Sequence, residues 1–391
     1  MSKKILVLNA GSSSIKFQLY SIDLQVLAKG LCQRIFIDGN FEMSVSASGQ
    51  KIEKDVPMPD HASALQCILD HLKETKVIND FNEIVGAGHR VVQGGDYFKD
   101  SALIGQVELD KIIEFSKLAP LHNIHEANVI KILMNLIPEC KNVAVFDTTF
   151  HATMPAENYK YAIPQEWESK HLVRRYGMHG TSYHYITEKM QEHLKKPSVN
   201  LIICHLGNGA SICVVKDSKS YNTSMGFTPL EGLIMGTRSG DIDPSVVEYM
   251  CLQTKADPSA IVNDLNKKSG LQALTGFSDM RDIFKDLDKN AVAVNMYTQR
   301  VANYIVSYLN QIGGSMDALV FTAGVGENST GIVKQILDKL PLLQVDYDLA
   351  KLDDHSYSDV KQINGDNSKF SIYQVRTNEE LMIVKNVLRF L

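Results

Sequence analysis

Small, amide and basic residues concentrate at a few glycine-containing points of the chain. Residues 9–16 read NAGSSSIK, so that a glycine and three serines separate an asparagine from a lysine. Backbone N–H groups and hydroxyls at such a turn can approach an anion closely, and the lysine adds a positive charge. A plain serine turn would have the same composition, so this segment alone leaves both interpretations open.

Two arginines have similar surroundings. Arg90 precedes a glycine pair, and Arg238 lies between two glycines and close to two aspartates. A guanidinium can hold a phosphate or a carboxylate through two parallel hydrogen bonds. The alternatives are a surface ion pair for Arg90 and a buried pair with an aspartate for Arg238.

Four further segments have the same character. Residues 205–211 (HLGNGAS) and 321–328 (FTAGVGEN) follow apolar runs, and a strand that opens into a glycine turn at a helix start favours phosphate binding. Asp147 follows another apolar run, and His179 lies between glycines ahead of a predicted helix. Each of these could also be an ordinary turn.

The combined inventory predicts phosphoryl transfer. It supplies cations and small polar loops but no paired nucleophile and base, which suits a reaction that depends on positioning and charge neutralisation. The Walker, Rossmann, GxSxG and HExxH patterns are absent from the sequence. His122 and His125 have metal-ligand spacing but no companion cluster, so ordinary hydrogen bonding is the better interpretation.

Short strands and amphipathic helices must position these residues. Strands are predicted at 5–8, 15–20, 84–86, 143–146, 201–204, 212–215 and 318–321. Helical spacing of apolar residues appears at 127–137, 301–312 and 381–388. This alternation predicts an α/β fold. The apolar run at 5–8 and the one at 201–204 each lead through a glycine turn into a second apolar run, which suggests two duplicated domains that face one cleft.

Composition sets the broad class. The 391 residues carry 40 basic and 45 acidic side chains, and 44% are apolar. That length and composition predict two domains with real cores, and the acidic balance does not favour binding to nucleic acid or to an anionic membrane. No apolar run reaches the roughly 20 residues of a membrane span, and the N-terminal run is too short for a signal peptide. Six cysteines without a CxxC pair predict reduced, mostly buried thiols and a cytoplasmic protein.

Nine motifs follow one another in the order found in the acetokinase family of short-chain carboxylate kinases, which the chain resembles from residue 5 to 385. They are LVLNAGSSSIK (6–16), HRVVQGG (89–95), APLHN (119–123), DTTFH (147–151), MHGTS (178–182), HLGNG (205–209), MGTRSGDIDP (235–244), FTAGVGEN (321–328) and TNEE (377–380).

The resemblance implies two similar domains of the actin-like ATPase (ribonuclease H-like) type that face a central cleft. The expected bounds are 1–149 with 380–391 for the N-terminal domain, and 150–379 for a C-terminal domain that binds nucleotide and dimerises. It also implies reversible, direct in-line transfer from ATP to acetate, dependent on Mg²⁺ (with Mn²⁺ as a substitute), by a homodimer. Propionate or butyrate as the acceptor is the close alternative, and a noncatalytic ATP-binding switch is the alternative from another class.

Roles carry over residue by residue. Catalysis would fall to Arg90, Asp147, His179 and Arg238, and the acyl group would contact Arg90, Val92, Leu121, Met178 and Pro229. ATP would contact Ser12, Ser14, Lys16, His205, Asn208, Gly209, Asp279, Arg281, Gly324 and Asn328. The metal would be held by Asn9 and Glu379.

Some features weaken or modify this assignment. Family members usually carry phenylalanine at Met178 and histidine at Gln93 and Tyr183. A flexible methionine could admit a longer acyl chain. Thr377 and Glu380 have capping-box spacing, so Glu379 could simply belong to the first turn of a helix.

Overall fold

The computed structural model describes residues 3–119 and 122–391. The chain forms two compact units. The first extends to Thr149 and takes up the last segment, Asn378–Leu391, and the second is Phe150–Thr377. Residues 378 and 379 therefore belong to the first unit, whereas the sequence-based bounds put them in the second domain.

One sheet forms the first unit. Its strands are β1 (Lys4–Ala10), β2 (Ser14–Ser21), β3 (Val26–Gln33), β4 (Asn40–Val45), β5 (Lys51–Asp55), β6 (Ile84–Val91), β7 (Ala102–Leu103) and β8 (Lys141–Phe146). Their order is β5-β4-β3-β2-β1-β6-β8-β7. Strand β1 is antiparallel to β2 and parallel to β6, which is parallel to β8. The carboxyl ends of β1, β6 and β8 therefore share one edge.

The sheet of the second unit repeats this plan. Its strands are β9 (Leu201–Leu206), β10 (Ala210–Lys216), β11 (Lys219–Thr223), β12 (Ala318–Thr322), β13 (Val360–Gln362) and β14 (Ser371–Val375). Their order is β11-β10-β9-β12-β14-β13. Strand β9 is antiparallel to β10 and parallel to β12, which is parallel to β14. The α/β class and the two similar domains predicted from the repeated hairpin are confirmed.

Helices cover the sheets and connect their strands. They are α1 (His61–Glu74), α2 (Gln106–Glu114), α3 (Asn123–Leu136), α4 (Ala156–Tyr159), α5 (Gln165–His171), α6 (Gly180–Leu194), α7 (Ser245–Thr254), α8 (Pro258–Lys267), α9 (Gly270–Thr275), α10 (Met280–Ile283), α11 (Leu287–Gln311), α12 (Ala323–Asn328), α13 (Thr330–Asp338), α14 (Leu349–Asp353) and α15 (Glu379–Leu388). In the described part of the chain, no helix has the length and apolar character that a membrane span requires.

Alternation along β1 builds two apolar layers in the first unit. Leu6 and Leu8 join the core that lies under α1 and α3, whereas Ile5 and Val7 face α15. Gly88 in β6 allows α15 to pack closely, because a Cβ there would lie 2.3 Å from Ile383. The C-terminal helix is thereby fixed on the sheet, which sets the position of Glu379 at its first turn.

The start of α15 differs from the sequence-based interpretation. Thr377 and Glu380 do not form a capping box, because Asn378 is the N-cap and its side chain accepts the Leu381 N–H at 2.9 Å. The Thr377 hydroxyl instead contacts Ser182 at 2.7 Å. The predicted strands and the three predicted helices are otherwise present. The cysteines are free as expected, and all except Cys251 are buried.

Acid is expected to destabilise the fold from about pH 6.5 downward. Burial lowers the pKa of both His89 and His151 to about 4, while an unfolded histidine titrates near 6.5. Between these values only the unfolded chain binds the proton, so the free energy of unfolding falls as the pH falls. Urea titrations at pH 7, 6 and 5 measure this, and His89→Gln should flatten the dependence while the surface variant His171→Gln should not. Equal free energies of unfolding at pH 7 and pH 5 would contradict the lowered pKa of His89 and His151.

Candidate functional site

Arg90 and Asp147 form the centre of a polar cluster in the first unit. They lie at or just after the carboxyl ends of the adjacent parallel strands β6 and β8. Arg90 donates through Nη2 to Asp147 Oδ2 at 2.5 Å and through Nε to Oδ1 at 3.2 Å. Burial alone would lower the pKa of the Arg90 guanidinium, but Asp147 and Glu379 raise it. Arg90 is therefore a fixed cation whose orientation is set by a buried carboxylate.

Glu379 adds a second carboxylate to this cluster. Its Oε2 lies 3.8 Å from Arg90 Nε, and it shares a small crevice with Asn9, Lys16 and Glu380. The pKa of Glu379 is raised to about 7, chiefly by burial; Asp147 and Glu380 also raise it, and Arg90 and Lys16 oppose the increase. A cation beside Glu379 would relieve this excess of negative charge.

The oxygen ligands in this crevice suit Mg²⁺ better than a metal ion that takes all of its ligands from protein side chains. No group of three or more His, Cys, Asp or Glu side chains able to hold a metal ion occurs in residues 3–119 and 122–391. Mg²⁺ usually keeps several waters and takes only one or two carboxylates together with substrate phosphates. The Glu379 carboxylate and the Asn9 amide oxygen fit that pattern.

The serine hairpin borders the same crevice. Asn9 in β1 is opposite Lys16 in β2, and Gly11 closes the turn by donating its N–H to the Ser14 carbonyl at 2.8 Å. Ser12 at the tip is exposed. Lys16 forms an ion pair with Glu380, so it would have to exchange that partner to bind a phosphate.

Residues on α3 hold the backbone next to Arg90. Glu126 accepts the Val92 N–H at 3.1 Å, and the Asn123 side chain bonds both the N–H and the carbonyl of Gln93. Val92 is buried, as an acyl-pocket residue would be. Leu121, the other predicted acyl contact of this unit, lies outside the described residues.

Two histidines are stacked in the second unit. The rings of His179 and His205 lie 4.2 Å apart at an interplanar angle of 21°. His179 is the N-cap of α6 and has a left-handed backbone with φ of 59°, which is uncommon for a residue other than glycine. A Cβ on Gly209 would lie 3.7 Å from His179 Nε2 and 3.4 Å from Arg238 Nη1. His179, Gly209 and Arg238 therefore lie together.

Arg238 differs from Arg90 in its partners. Its Nη1 makes only long contacts, 3.4 Å to the Pro229 carbonyl and 3.7 Å to Met235 Sδ. No ion pair joins it to a carboxylate of residues 3–119 and 122–391, and burial lowers the pKa of its guanidinium. A half-buried guanidinium in this state can receive an external anion. The predicted alternative, a buried pair with an aspartate, is wrong, because Asp241 bonds Gly232, Arg300 and Tyr304 instead.

A cavity of about 910 Å³ adjoins the glycine loop after β9. That volume is within the roughly 300–1,000 Å³ range of small-molecule sites. Five of the predicted ATP contacts line it, together with apolar walls from Leu271, Phe284, Tyr297 and Val325. The five are Asn208, Asp279, Arg281, Gly324 and Asn328. Arg281 and Asp279 are paired with each other at 2.6 Å.

Glycines allow close approach in this cavity. A Cβ at Gly331 would lie 2.4 Å from the Phe284 ring, and one at Gly236 would lie 1.9 Å from Asn208 Oδ1. The turn after β12 is fixed by Glu327, whose Oε1 accepts the N–H groups of Ala323 at 2.8 Å and Thr377 at 3.0 Å.

The remaining predicted acyl contacts belong to the second unit. Met178 is buried, and its carbonyl accepts from His151 Nε2 at 3.0 Å. Pro229 is half-buried and approaches Arg238 through its carbonyl.

Several supporting residues received no role from the sequence, although Asn123, Ser182, Ser211 and Glu327 lie within its motifs and glycine segments. Glu126, Asn123, Glu327, Ser211 and Ser182 act on the candidate residues through hydrogen bonds between distant parts of the chain. Neither their types nor their spacing distinguishes them from ordinary polar residues. The unpartnered state of Arg238 has no sequence signal either.

Comparison with known proteins agrees with the motif order. A sequence model of the acetokinase family matches residues 4–385. An acetate kinase of Mycoplasmoides gallisepticum is 58% identical over 386 residues, which cover 99% of each chain. A propionate kinase from Francisella tularensis has a TM-score of 0.93 at 41% identity, and an acetate kinase from Porphyromonas gingivalis has a TM-score of 0.92 at 35% identity. Both structures match over 99% of each chain.

Proposed function

Because the chain belongs to the acetokinase family, we propose that it transfers the γ-phosphoryl group of ATP to acetate, reversibly and in line, and gives acetyl phosphate and ADP. The single observation that supports this best is the guanidinium of Arg238, half-buried without an acidic partner beside His179 and the glycine loop. Such a site suits an anion that arrives with the substrates.

The chemistry requires two anions to approach each other. Acetate is already ionised at pH 7, so no general base is needed to activate it. The barrier lies in bringing its carboxylate to a charged phosphate, and cations fixed at the reacting centre lower that barrier. Arg90 and Arg238 are assigned this role, with Asp147 holding the Arg90 fork in orientation. His179 donates a hydrogen bond to the transferring group.

The nucleotide is assigned to the large cavity of the second unit. Asp279, Arg281, Gly324 and Asn328 would surround the nucleoside. His205, Asn208 and Gly209 would contact its phosphates, with Ser12, Ser14 and Lys16 lining the phosphate path. Asn9 and Glu379 would hold Mg²⁺, which neutralises phosphate charge when it is bound.

Acetate-dependent release of ADP tests the assignment. Purified protein with ATP should release ADP only when acetate and Mg²⁺ or Mn²⁺ are both present, and EDTA should abolish the reaction. Glu379→Gln should raise the Mg²⁺ concentration needed for half-maximal rate. ATP binding without release of ADP in the presence of acetate and Mg²⁺ would favour the noncatalytic nucleotide switch instead.

The acyl pocket leaves propionate as the second candidate, because the Francisella tularensis propionate kinase resembles the chain over its full length. We expect Met178→Phe to raise the ratio of kcat/KM for acetate over propionate by about 10-fold or more, since the ring fills space that a flexible methionine can vacate and one methylene is worth about 1–3 kcal/mol. Parallel rate measurements with acetate and propionate check this. An unchanged ratio would remove Met178 from the pocket.

We also propose a homodimer that forms through α7. None of the residues of α7 or of its neighbour α8 is buried, and Val246, Tyr249 and Leu252 expose apolar side chains along one face of α7. Tyr249→Glu combined with Leu252→Asp should convert a dimer into a monomer in light scattering. Leu342→Asp, which changes another exposed leucine, is the control and should remain dimeric.

A cytoplasmic location is proposed as well. Its support is the set of free cysteines and the use of ATP.

A further inference from the structure

His179 and His205 are held in the same way, each through Nδ1. His179 Nδ1 lies 2.9 Å from Ser211 Oγ, and His205 Nδ1 lies 2.9 Å from Ser182 Oγ. Each serine hydroxyl in turn contacts one more hydroxyl group. Ser211 Oγ lies 2.5 Å from the Tyr183 hydroxyl, and Ser182 Oγ lies 2.7 Å from Thr377 Oγ1.

The direction of the hydrogen bonds in the first chain follows from the acidity of its members. A phenol, with a pKa near 10, is a better donor than an aliphatic alcohol. Tyr183 is therefore the donor to Ser211 Oγ, which leaves the Ser211 hydroxyl proton available for His179 Nδ1. Burial raises the pKa of Tyr183 well above its usual value, so the phenol keeps its proton.

This direction determines the tautomer of His179. A neutral imidazole that accepts at Nδ1 carries its proton on Nε2. His179 Nε2 and Arg238 Nη1 both lie close to Gly209, since a Cβ on that glycine would lie 3.7 Å from the first and 3.4 Å from the second. The proton therefore lies on the side of the ring that is near Gly209 and Arg238.

We propose that Tyr183 is a positioning residue for phosphoryl transfer, which acts through Ser211 to keep His179 in the Nε2–H tautomer. The proposal rests on the proposed function in one respect, since it takes the hydrogen bond from His179 to be made to the transferring group.

Removal of the phenol hydroxyl breaks the chain without opening a large cavity. In Tyr183→Phe the Ser211 oxygen can accept from His179 Nδ1–H, so the ring can adopt the other tautomer and present a bare nitrogen to the anion. We expect kcat to fall about 10- to 100-fold, the scale of losing an outer hydrogen-bond partner, while KM for ATP stays nearly unchanged. Tyr185→Phe is the matched control. It changes a buried tyrosine of the same helix and should keep wild-type kcat.

Two measurements separate positioning from general stability. With ¹⁵N-labelled histidine, ring nitrogen shifts should report Nε2–H for His179 in the wild type and a change toward Nδ1–H in Tyr183→Phe, with His179→Gln used to assign the signals. In the His179→Gln background, Tyr183→Phe should lower kcat no further. An equal loss in that background, or wild-type kcat in Tyr183→Phe, would overturn the proposal.

Failure of the proposed function would look different. If the wild type formed no acetyl phosphate, the reaction assigned to the chain would be wrong. The tautomer of His179 would still be readable from the ring nitrogen shifts, and an Nδ1–H tautomer in the wild type would overturn the inference by itself.

Discussion

Arg238→Ala is expected to lower kcat by at least about 100-fold and to leave the protein as stable as the wild type. The loss of one donor aimed at developing charge costs about this much in other transfer reactions. Stability should be preserved because, within residues 3–119 and 122–391, no carboxylate is paired with Arg238 and would be left unpaired. The hydrogen-bond contacts of its Nη1, 3.4 and 3.7 Å long, are weak. Removing a half-buried charge even relieves a desolvation cost.

Initial rates of acetyl phosphate formation and thermal melts test this expectation together. The rate of the Arg238→Lys variant should lie between those of the wild type and the alanine variant, because lysine keeps the positive charge and loses the planar guanidinium that can make two parallel hydrogen bonds. Arg174→Ala is the control, since that half-buried arginine stacks on Tyr159 and has no assigned role. A destabilised Arg238→Ala protein would show that the arginine has a structural partner, and near wild-type rates would remove it from the reaction.

Arg90→Ala should lower the rate at least as much and should also destabilise the first unit. Asp147 is almost completely buried and would lose both hydrogen bonds from the guanidinium. Glu379 would lose the cation whose Nε lies 3.8 Å from its Oε2. Breaking a buried ion pair by removing one partner costs about 3–5 kcal/mol. Both alanine variants are therefore expected to lose at least about 100-fold in rate. Only Arg90→Ala is expected to lose stability as well.

Urea unfolding at pH 7 distinguishes the two effects. Asp147→Asn in the Arg90→Ala background should recover much of the stability, because it removes the buried carboxylate that has lost the guanidinium of Arg90, and should recover no activity. Arg389→Ala, which breaks an exposed pair with Asp100, controls for the loss of a surface cation and should change neither property by much. An Arg90→Ala protein with wild-type stability would contradict the structural role of the ion pair between Arg90 and Asp147.

Local patterns predicted the framework of the fold. The alternation of apolar residues and the glycine turns located the strands, and the resemblance between residues 5–20 and 201–215 anticipated the repeated sheet. The same sequence signals brought out Arg90, Asp147 and the glycine loops near strand ends, and His179 and Arg238 between glycines. Family resemblance added Glu379, which spacing alone would have left in a helix cap.

Long-range hydrogen bonds were not predictable in this way. Asn378, not Thr377, caps α15 because the Thr377 hydroxyl is engaged by Ser182, 195 positions away. The pairing of Lys16 with Glu380 joins residues 364 positions apart. Such partners depend on how strands and helices pack, and one sequence without that packing gives no sign of them.

Trapping of the acyl phosphate with hydroxylamine tests the central claim most directly. Purified protein would be incubated with Mg-ATP and with acetate, propionate or butyrate in parallel, and the hydroxamate measured. Acyl hydroxamate in amounts that decrease from acetate to butyrate is the predicted result. No hydroxamate with any of the three acids, from protein that binds ATP, would contradict the assignment of phosphoryl transfer to a carboxylate.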